Sequence, residues 1–325
     1  MLTTFYFDQE LFSDESLNLP ITNSVILETW SKYGCLAICQ NNINGMRIAI
    51  DNIPIKYKQK WITALTSDKF KKTEINISDP LLSSLSGIKE FEMLFYTKNI
   101  TTGILTIDYQ ELFEEKSLPV DNNTLEILSP TNINESINFN ISKCISEKDI
   151  KSGDEFNDIW KNKFEGLAMY TSTITILDRY MALNIERDLR YGLKTSLELL
   201  IESLSKYEKK FTIHIFCACD THSTNIDVDF TRIKSYINSF TNKPYFSKHK
   251  FEIELSLCKD KIFKTEAHDR MMCFDNHVIQ IGKGMDIFRD KLINNNTFTI
   301  KSRYSTLFDD MYKELAKNRE KVFKL

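Results

Sequence analysis

The chain has 325 residues, a net charge of −3, 42% hydrophobic residues and 27% charged residues. These values suit a globular protein of one large or two modest domains, and they exclude a globally basic nucleic-acid coat while leaving room for a local basic patch. No run of 18 apolar residues occurs, and the opening MLTTFYFDQELF carries Asp8 and Glu10 in place of a basic start. Neither a membrane span nor a secretory signal is expected, and the cytoplasm is the default location.

In chain order, residues 1–15 predict a first strand and turn. Residues 25–38 start with helical spacing, stop at Gly34 and pass into a strand at CLAI. Residues 46–53 read as another strand, YKQKWITAL around Trp61 as a helix, and 91–96 and 104–109 as strands. Glu28, Trp30, Lys32 and Tyr33 offer a recognition surface, although their helical spacing beside apolar residues favours core for the aromatics. Residues 117–146 are rich in Asn, Ser and Pro and carry no long helical period. They predict a join over 126–150, between a mixed α+β domain of no assignable role at 1–125 and a second domain at 151–325.

The second half predicts a helix at 156–170, a strand at 172–178, an amphipathic helix at 192–207 and a strand at 211–219. A helix at 229–240 and a strand at 251–258 follow. AHDRMMCF and HVIQIG pair across a turn at Asp275-Asn276, MDIFRDKLI is a short helix or irregular return, TFTIKSR is a late strand, and the end is helical. The alternation of strands and helices predicts an α/β layer with crossovers and a hairpin-rich edge.

Seven cysteines, odd in number and mostly in apolar runs, suit buried thiols in a reducing compartment. Cys217 and Cys219 lie near Asp220 and His222, but the spacing is weak for zinc, so no metal and no cofactor is expected. Arginine is skewed: only Arg47 precedes Arg179. Because guanidinium is the better bidentate partner for phosphate, the skew directs the search for anion handling to the second half.

Three stretches there carry chemistry. His268, Arg270 and Asp275 fall in HxRxxxxD spacing. On a strand, residues two apart share a face, which would place imidazole and guanidinium side by side to hold or attack a phosphate. Asp275 would orient another group. Gly282-Lys283-Gly284 permits a bend with exposed N–H groups, an anion nest, although the GxxxxGK[ST] phosphate loop is absent. Asp178 and Arg179 fall at the carboxyl end of a predicted strand, where open α/β sheets bind ligands. Arg187 and Arg190 follow, with Glu186 and Asp188 as their ion-pair partners if they are merely structural.

ITILDRYM at 174–181, the helix at 192–207 and EAHDRMMCFDNHVIQIGKGMDIF at 266–288 resemble the phospholipase D-like C-terminal domain family of MIT-domain-containing protein 1 and its bacterial relatives. The resemblance covers about 155–300 and implies a phospholipase D-like mixed sheet with helices, preceded by a separate domain that it does not cover. Enzymes of this kind join two HxKxxxxD motifs at one metal-free site. This chain has one motif, with Arg270 in the lysine position, so a homodimer would supply the second copy. The resemblance thus implies a phosphodiesterase or nuclease of a bacterial phage-defence or mobile-element module. His268 would be nucleophile or general acid, Arg270 and Arg179 the phosphate clamps, and Asp178 or Asp275 the orienting groups, with Lys283, Gly282 and Gly284 at the phosphate. The animal relatives point instead to a non-catalytic module that binds nucleic acid or another phosphodiester ligand, with another protein of the same defence module as a further candidate partner. A scaffold that keeps only the fold is the third reading.

Overall fold

A computed structural model describes residues 2–40, 42–78, 99–115, 125–219, 226–268, 270–289 and 293–325. The chain divides into two units, Met1–Ile145 and Ser146–Leu325.

In the first unit β1, β2, β4 and β5 are each followed by helix, and the result is a five-stranded parallel sheet, not the expected mixed α+β arrangement. Its strands are β1 (Thr3–Tyr6), β2 (Gly34–Gln40), β3 (Lys72–Ser78), β4 (Thr102–Ile104) and β5 (Glu126–Leu128). Their order is β3-β2-β1-β4-β5, all pairings parallel. Among the described residues, helices α1 (Pro20–Tyr33), α2 (Asn42–Ala49), α3 (Ile55–Thr66) and α4 (Ile107–Glu115) lie between strands, and α5 (Ile137–Glu147) follows the last one.

Residues 46–53 are helical, not a strand. Burial falls on Met46, Ile50 and Ile53 while Ile48 is exposed, which is the period of a helix face. The strand expected over 104–109 ends at Ile104 and gives way to α4. The expected strand at 91–96 lies outside the described residues. The asparagine-rich join is structured: it contains β5, a 3-10 turn at Pro130–Glu135 and α5, and most of it belongs to the first unit. Glu126 holds it, accepting hydrogen bonds from Ser136 Oγ and from the Ile137 and Asn138 N–H groups at the start of α5.

Phe5, Phe7, Phe12, Trp30, Trp61, Phe70 and Phe139 form the core of this unit with edge-to-face contacts. Both indoles find acceptors, Trp30 at Lys71 O (2.8 Å) and Trp61 at Asn23 Oδ1 (2.7 Å). Trp30 is thus core, whereas Glu28 and Lys32 form an exposed pair on α1.

The second unit holds a seven-stranded mixed sheet of order β11-β10-β9-β6-β7-β8-β12. Its strands are β6 (Thr173–Leu177), β7 (Phe211–Cys219), β8 (Phe251–Lys259), β9 (Met271–Phe274), β10 (His277–Ile281), β11 (Phe298–Ser302) and β12 (Arg319–Lys324). β6, β7 and β8 are parallel, and the remaining pairings are antiparallel. A helical run over 156–170, containing a π turn at Trp160–Phe164, is α6. It is followed by α7 (Met181–Arg190), α8 (Ser196–Leu204), α9 (Ile226–Ser239), α10 (Asp260–Glu266) and α11 (Phe308–Lys317). Helices α10 and α11 cover one sheet face through Phe263, Phe308, Met311 and Leu315. Phe164 of α6 meets Phe274 and Phe298, side chains of the other parity.

Both units are α/β, and among the described residues no helix is long and apolar enough to cross a membrane. The chain end, expected to be wholly helical, closes with β12. This edge strand is fixed to β8 by Arg319 and Lys324, which both pair with Glu254 (3.0 and 2.8 Å).

Candidate functional site

β6 runs parallel to β7 and antiparallel to β9, so its carboxyl end meets the start of β9. Leu177 lies opposite Met271, which brings Asp178 and Arg179 beside Arg270. Because β10 runs back along β9, its end joins the same edge, with Ile281 N–H donating to Arg270 O at 3.1 Å. The sheet topology therefore brings four expected residues together: Asp178, Arg179, Arg270 and Gly284.

Asp178 is 1% exposed. One carboxylate oxygen accepts from Tyr180 N–H (2.9 Å) and the other from Met285 N–H (2.7 Å). Burial pushes its carboxyl above the ordinary range, opposed by those two N–H bonds and by the Arg270 charge. Gly284, at φ +60°, is required on two counts. A Cβ there would overlap the Asp178 carboxylate and would lie 2.7 Å from Arg270 Cδ.

The Gly-Lys-Gly turn is not an open anion nest. Gly282 N–H donates to Thr297 O (3.3 Å), Lys283 N–H to Asn296 Oδ1 (3.0 Å) and Met285 N–H to Asp178. The protein's own oxygens occupy the places expected for phosphate. The Lys283 side chain stays half-buried at the rim.

The two arginines at this edge differ. Arg179 places Nε and Nη2 on the two Asp260 oxygens (2.6 and 3.0 Å), which raises its own pKa and lowers that of Asp260. Lys264 adds a third bond to Asp260 at 2.8 Å. Arg270 stacks on the Tyr180 ring, 4.6 Å from Cζ to centroid, and among the described residues no hydrogen-bond acceptor meets its guanidinium. Arg179 stands 4.8 Å from the same ring.

The HxRxxxxD residues are not gathered. The expected strand over 267–274 begins only at Met271, because helix α10 still runs to Glu266. The shared-face argument for His268 and Arg270 therefore lapses, and His268 is exposed. Asp275 sits at the opposite end of β6, roughly 16 Å away at the usual strand rise. There, at φ +49°, its carboxylate accepts from Ser172 and Thr173 N–H (3.3 and 2.9 Å) as part of the β9–β10 turn.

Sequence reading missed Tyr180 and Asp260, which line this edge, and the role of Arg289. Arg187 and Arg289 interlock with Asp188 and Asp286: Arg187 to Asp286 (2.5 Å), Arg289 to Asp188 (2.6 Å) and Arg187 to Asp188 (3.2 Å). This quartet ties α7 to the turn that supplies Met285. The i, i+3 spacing of Asp286 and Arg289 was its available signal. Asp220 and His222 lie outside the described residues. Among the described residues, no group of three His, Cys, Asp or Glu is placed to hold a metal.

No family model and no curated protein sequence matches the chain. Among solved structures, it is similar to TrmBL2, an archaeal chromatin protein described as showing a novel mode of DNA binding. The identity is 12%, the match covers 54% of each chain, and the TM-score is 0.26, too low for the likeness to bear on fold or function.

Proposed function

We propose that the second unit is a phospholipase D-like module that binds a phosphodiester anion, nucleic acid foremost, at the edge where β6, β9 and β10 meet. The carrying observation is Arg270: a half-buried guanidinium, oriented by Tyr180 and Gly284, that meets no acceptor among the described residues while Arg179 is engaged by Asp260. Such a group offers a fork of donors to a phosphate at little reorganisation cost. Binding is favoured over cleavage because Asp275, the last residue of the single HxRxxxxD motif, lies at the opposite end of β6.

A second reading, phosphodiester hydrolysis, rests on exposed His268 two residues from Arg270 at the same edge. There His268 would attack phosphorus, and the histidine of a second copy would protonate the leaving oxygen. In either case the setting is a bacterial defence or mobile-element module, with a homodimer or another protein of the module as partner.

One experiment separates these readings. Oligonucleotide binding and cleavage are measured in EDTA for the full chain, Arg270→Ala and His268→Ala. Binding is expected to fall about tenfold in Arg270→Ala, with a shallower salt dependence. Unchanged affinity and slope in that variant would overturn the proposal. Cleavage by the wild type that His268→Ala abolishes would replace binding with hydrolysis.

A further inference from the structure

A second basic feature lies outside this edge. Helices α7 and α9 border an open groove of about 690 Å³, lined by Glu186, Leu189, Arg190, Arg232, Ser235 and Tyr236 among others. Its two arginines are 78% and 62% exposed and share one carboxylate, Glu186, at 4.0 and 3.7 Å. Those distances lie beyond hydrogen-bond range, so among the described residues neither fork is taken up and the lining of the groove carries a net positive charge. The groove floor is held: Tyr236 OH bonds to Thr195, at the amino end of α8. Beside Arg190 stands Tyr191, 71% exposed, and Leu189, itself 48% exposed, lines the groove next to them.

The position matters as much as the charge. Tyr180, on which Arg270 stacks, immediately precedes α7, and Arg190 is the last residue of that helix. Ten residues of helix rise about 15 Å, so the two cationic places stand farther apart than one phosphate group extends. An open groove with guanidinium forks and hydroxyls, bordered by a residue whose chain neighbour is an exposed tyrosine, matches the chemistry that holds unpaired nucleic acid, where phosphates meet cations and bases stack on rings. A base can reach Tyr191 in this way only when it is not paired within a duplex.

We infer that the α7–α9 groove is a binding track for single-stranded nucleic acid, engaging phosphates through Arg190 and Arg232 and a base through Tyr191. This rests on the reading of Arg270 as a phosphodiester ligand, because one strand would contact both places.

The test is fluorescence anisotropy on the full chain with labelled oligothymidylates of 4 and 20 nucleotides and a 20-base-pair duplex, across a salt series. The variants are Arg190→Ala/Arg232→Ala, Glu186→Gln, Tyr191→Ala and Arg270→Ala. The double variant is expected to bind the 20-mer about tenfold more weakly, with a salt slope lower by about one to two. Glu186→Gln, which removes the opposing charge and leaves the exposed surface otherwise intact, is expected to tighten it about threefold. Tyr191→Ala is expected to weaken the single strand several-fold without changing the salt slope. The 4-mer should respond to Arg270→Ala and not to the double variant. Wild-type affinity and slope in the double variant, alongside a loss in Arg270→Ala, would overturn the groove and leave the edge site standing. A loss in the double variant alone would keep the groove and remove Arg270. Equal binding of duplex and single strand would overturn the single-strand assignment.

Discussion

At the amino end of β6, the Asp275 carboxylate accepts hydrogen bonds from two backbone N–H groups; at its carboxyl end, Asp178 does the same. Both residues tie the strand to the β9–β10 hairpin and the turn beyond it. The ends differ in what surrounds the carboxylate. At Asp275 the nearby cation is spent, because Arg303 donates to Asp275 O (3.3 Å) and is itself held by Asp309 (2.7 Å). At Asp178 the carboxylate is buried and, among the described residues, Arg270 meets no acceptor. A carboxylate that caps backbone N–H groups is structural at either end. What distinguishes a binding edge is an oriented cation left without an acceptor.

The sharpest way to break that distinction is Gly284→Ala. The new Cβ meets the Asp178 carboxylate, and the left-handed backbone there disfavours any side chain. Strain plus displaced hydrogen bonds predict a loss of about 4 kcal/mol in urea unfolding of the second unit. Gly282→Ala is the control. Its Cβ would meet Thr297 Oγ1 and Asn296 Oδ1 (2.7 and 2.9 Å), side-chain atoms that must shift, at a residue without positive φ, so a smaller loss of about 1–2 kcal/mol is expected. Equal losses would mean that the Gly284 turn is not the clamp on Asp178.

Next in size is the pair Asp178→Ala and Asp275→Ala. The first orphans two N–H groups around a fully buried position and should cost about 3 kcal/mol; the second acts at a half-buried turn and should cost about 1 kcal/mol. The comparison is sharpened by binding. Asp275→Ala should leave oligonucleotide affinity unchanged, whereas Asp178→Ala should weaken it by loosening the turn against which Arg270 packs. A loss of binding in Asp275→Ala would return that residue to the site.

Some of this was legible in the residues. Strand periodicity found β6, β7, β8 and the β9–β10 hairpin, and the carboxyl-end rule pointed to Asp178 and Arg179. Two features were not. Period-two reasoning extended β9 back through His268, because residues 260–266 mix polar and apolar types and do not announce the short helix α10 that displaces the strand start. Nor does a Gly-Lys-Gly string show whether its N–H groups face a ligand or the protein. Only the fold reveals that Asp178, Asn296 and Thr297 already fill those positions. Likewise Arg179 and Arg270 look equivalent in sequence, and Asp260, eighty-one residues beyond Arg179, decides which of them is free.

The smallest expected effect tests that last point. Asp260→Asn removes the charged partner of Arg179 and returns its fork toward solvent. If spent donors are what separate the two arginines, this variant should bind a phosphodiester oligonucleotide about threefold more tightly at low salt, the gain vanishing as salt screens it. The same substitution has a pH signature. Arg179 holds the Asp260 carboxyl below its ordinary value, so the wild-type pair contributes stability that is complete above the unfolded carboxyl pKa of about 3.9 and is lost as pH falls through the lower folded value. Asp260→Asn should flatten that acid limb in thermal melts, by lowering the neutral-pH melt toward the value the wild type reaches in acid. A variant with the wild-type acid limb and unchanged affinity would show that the Arg179–Asp260 pair does not hold in solution, and the contrast with Arg270 would then fall, since both guanidinium groups stand against the Tyr180 ring at 4.8 and 4.6 Å.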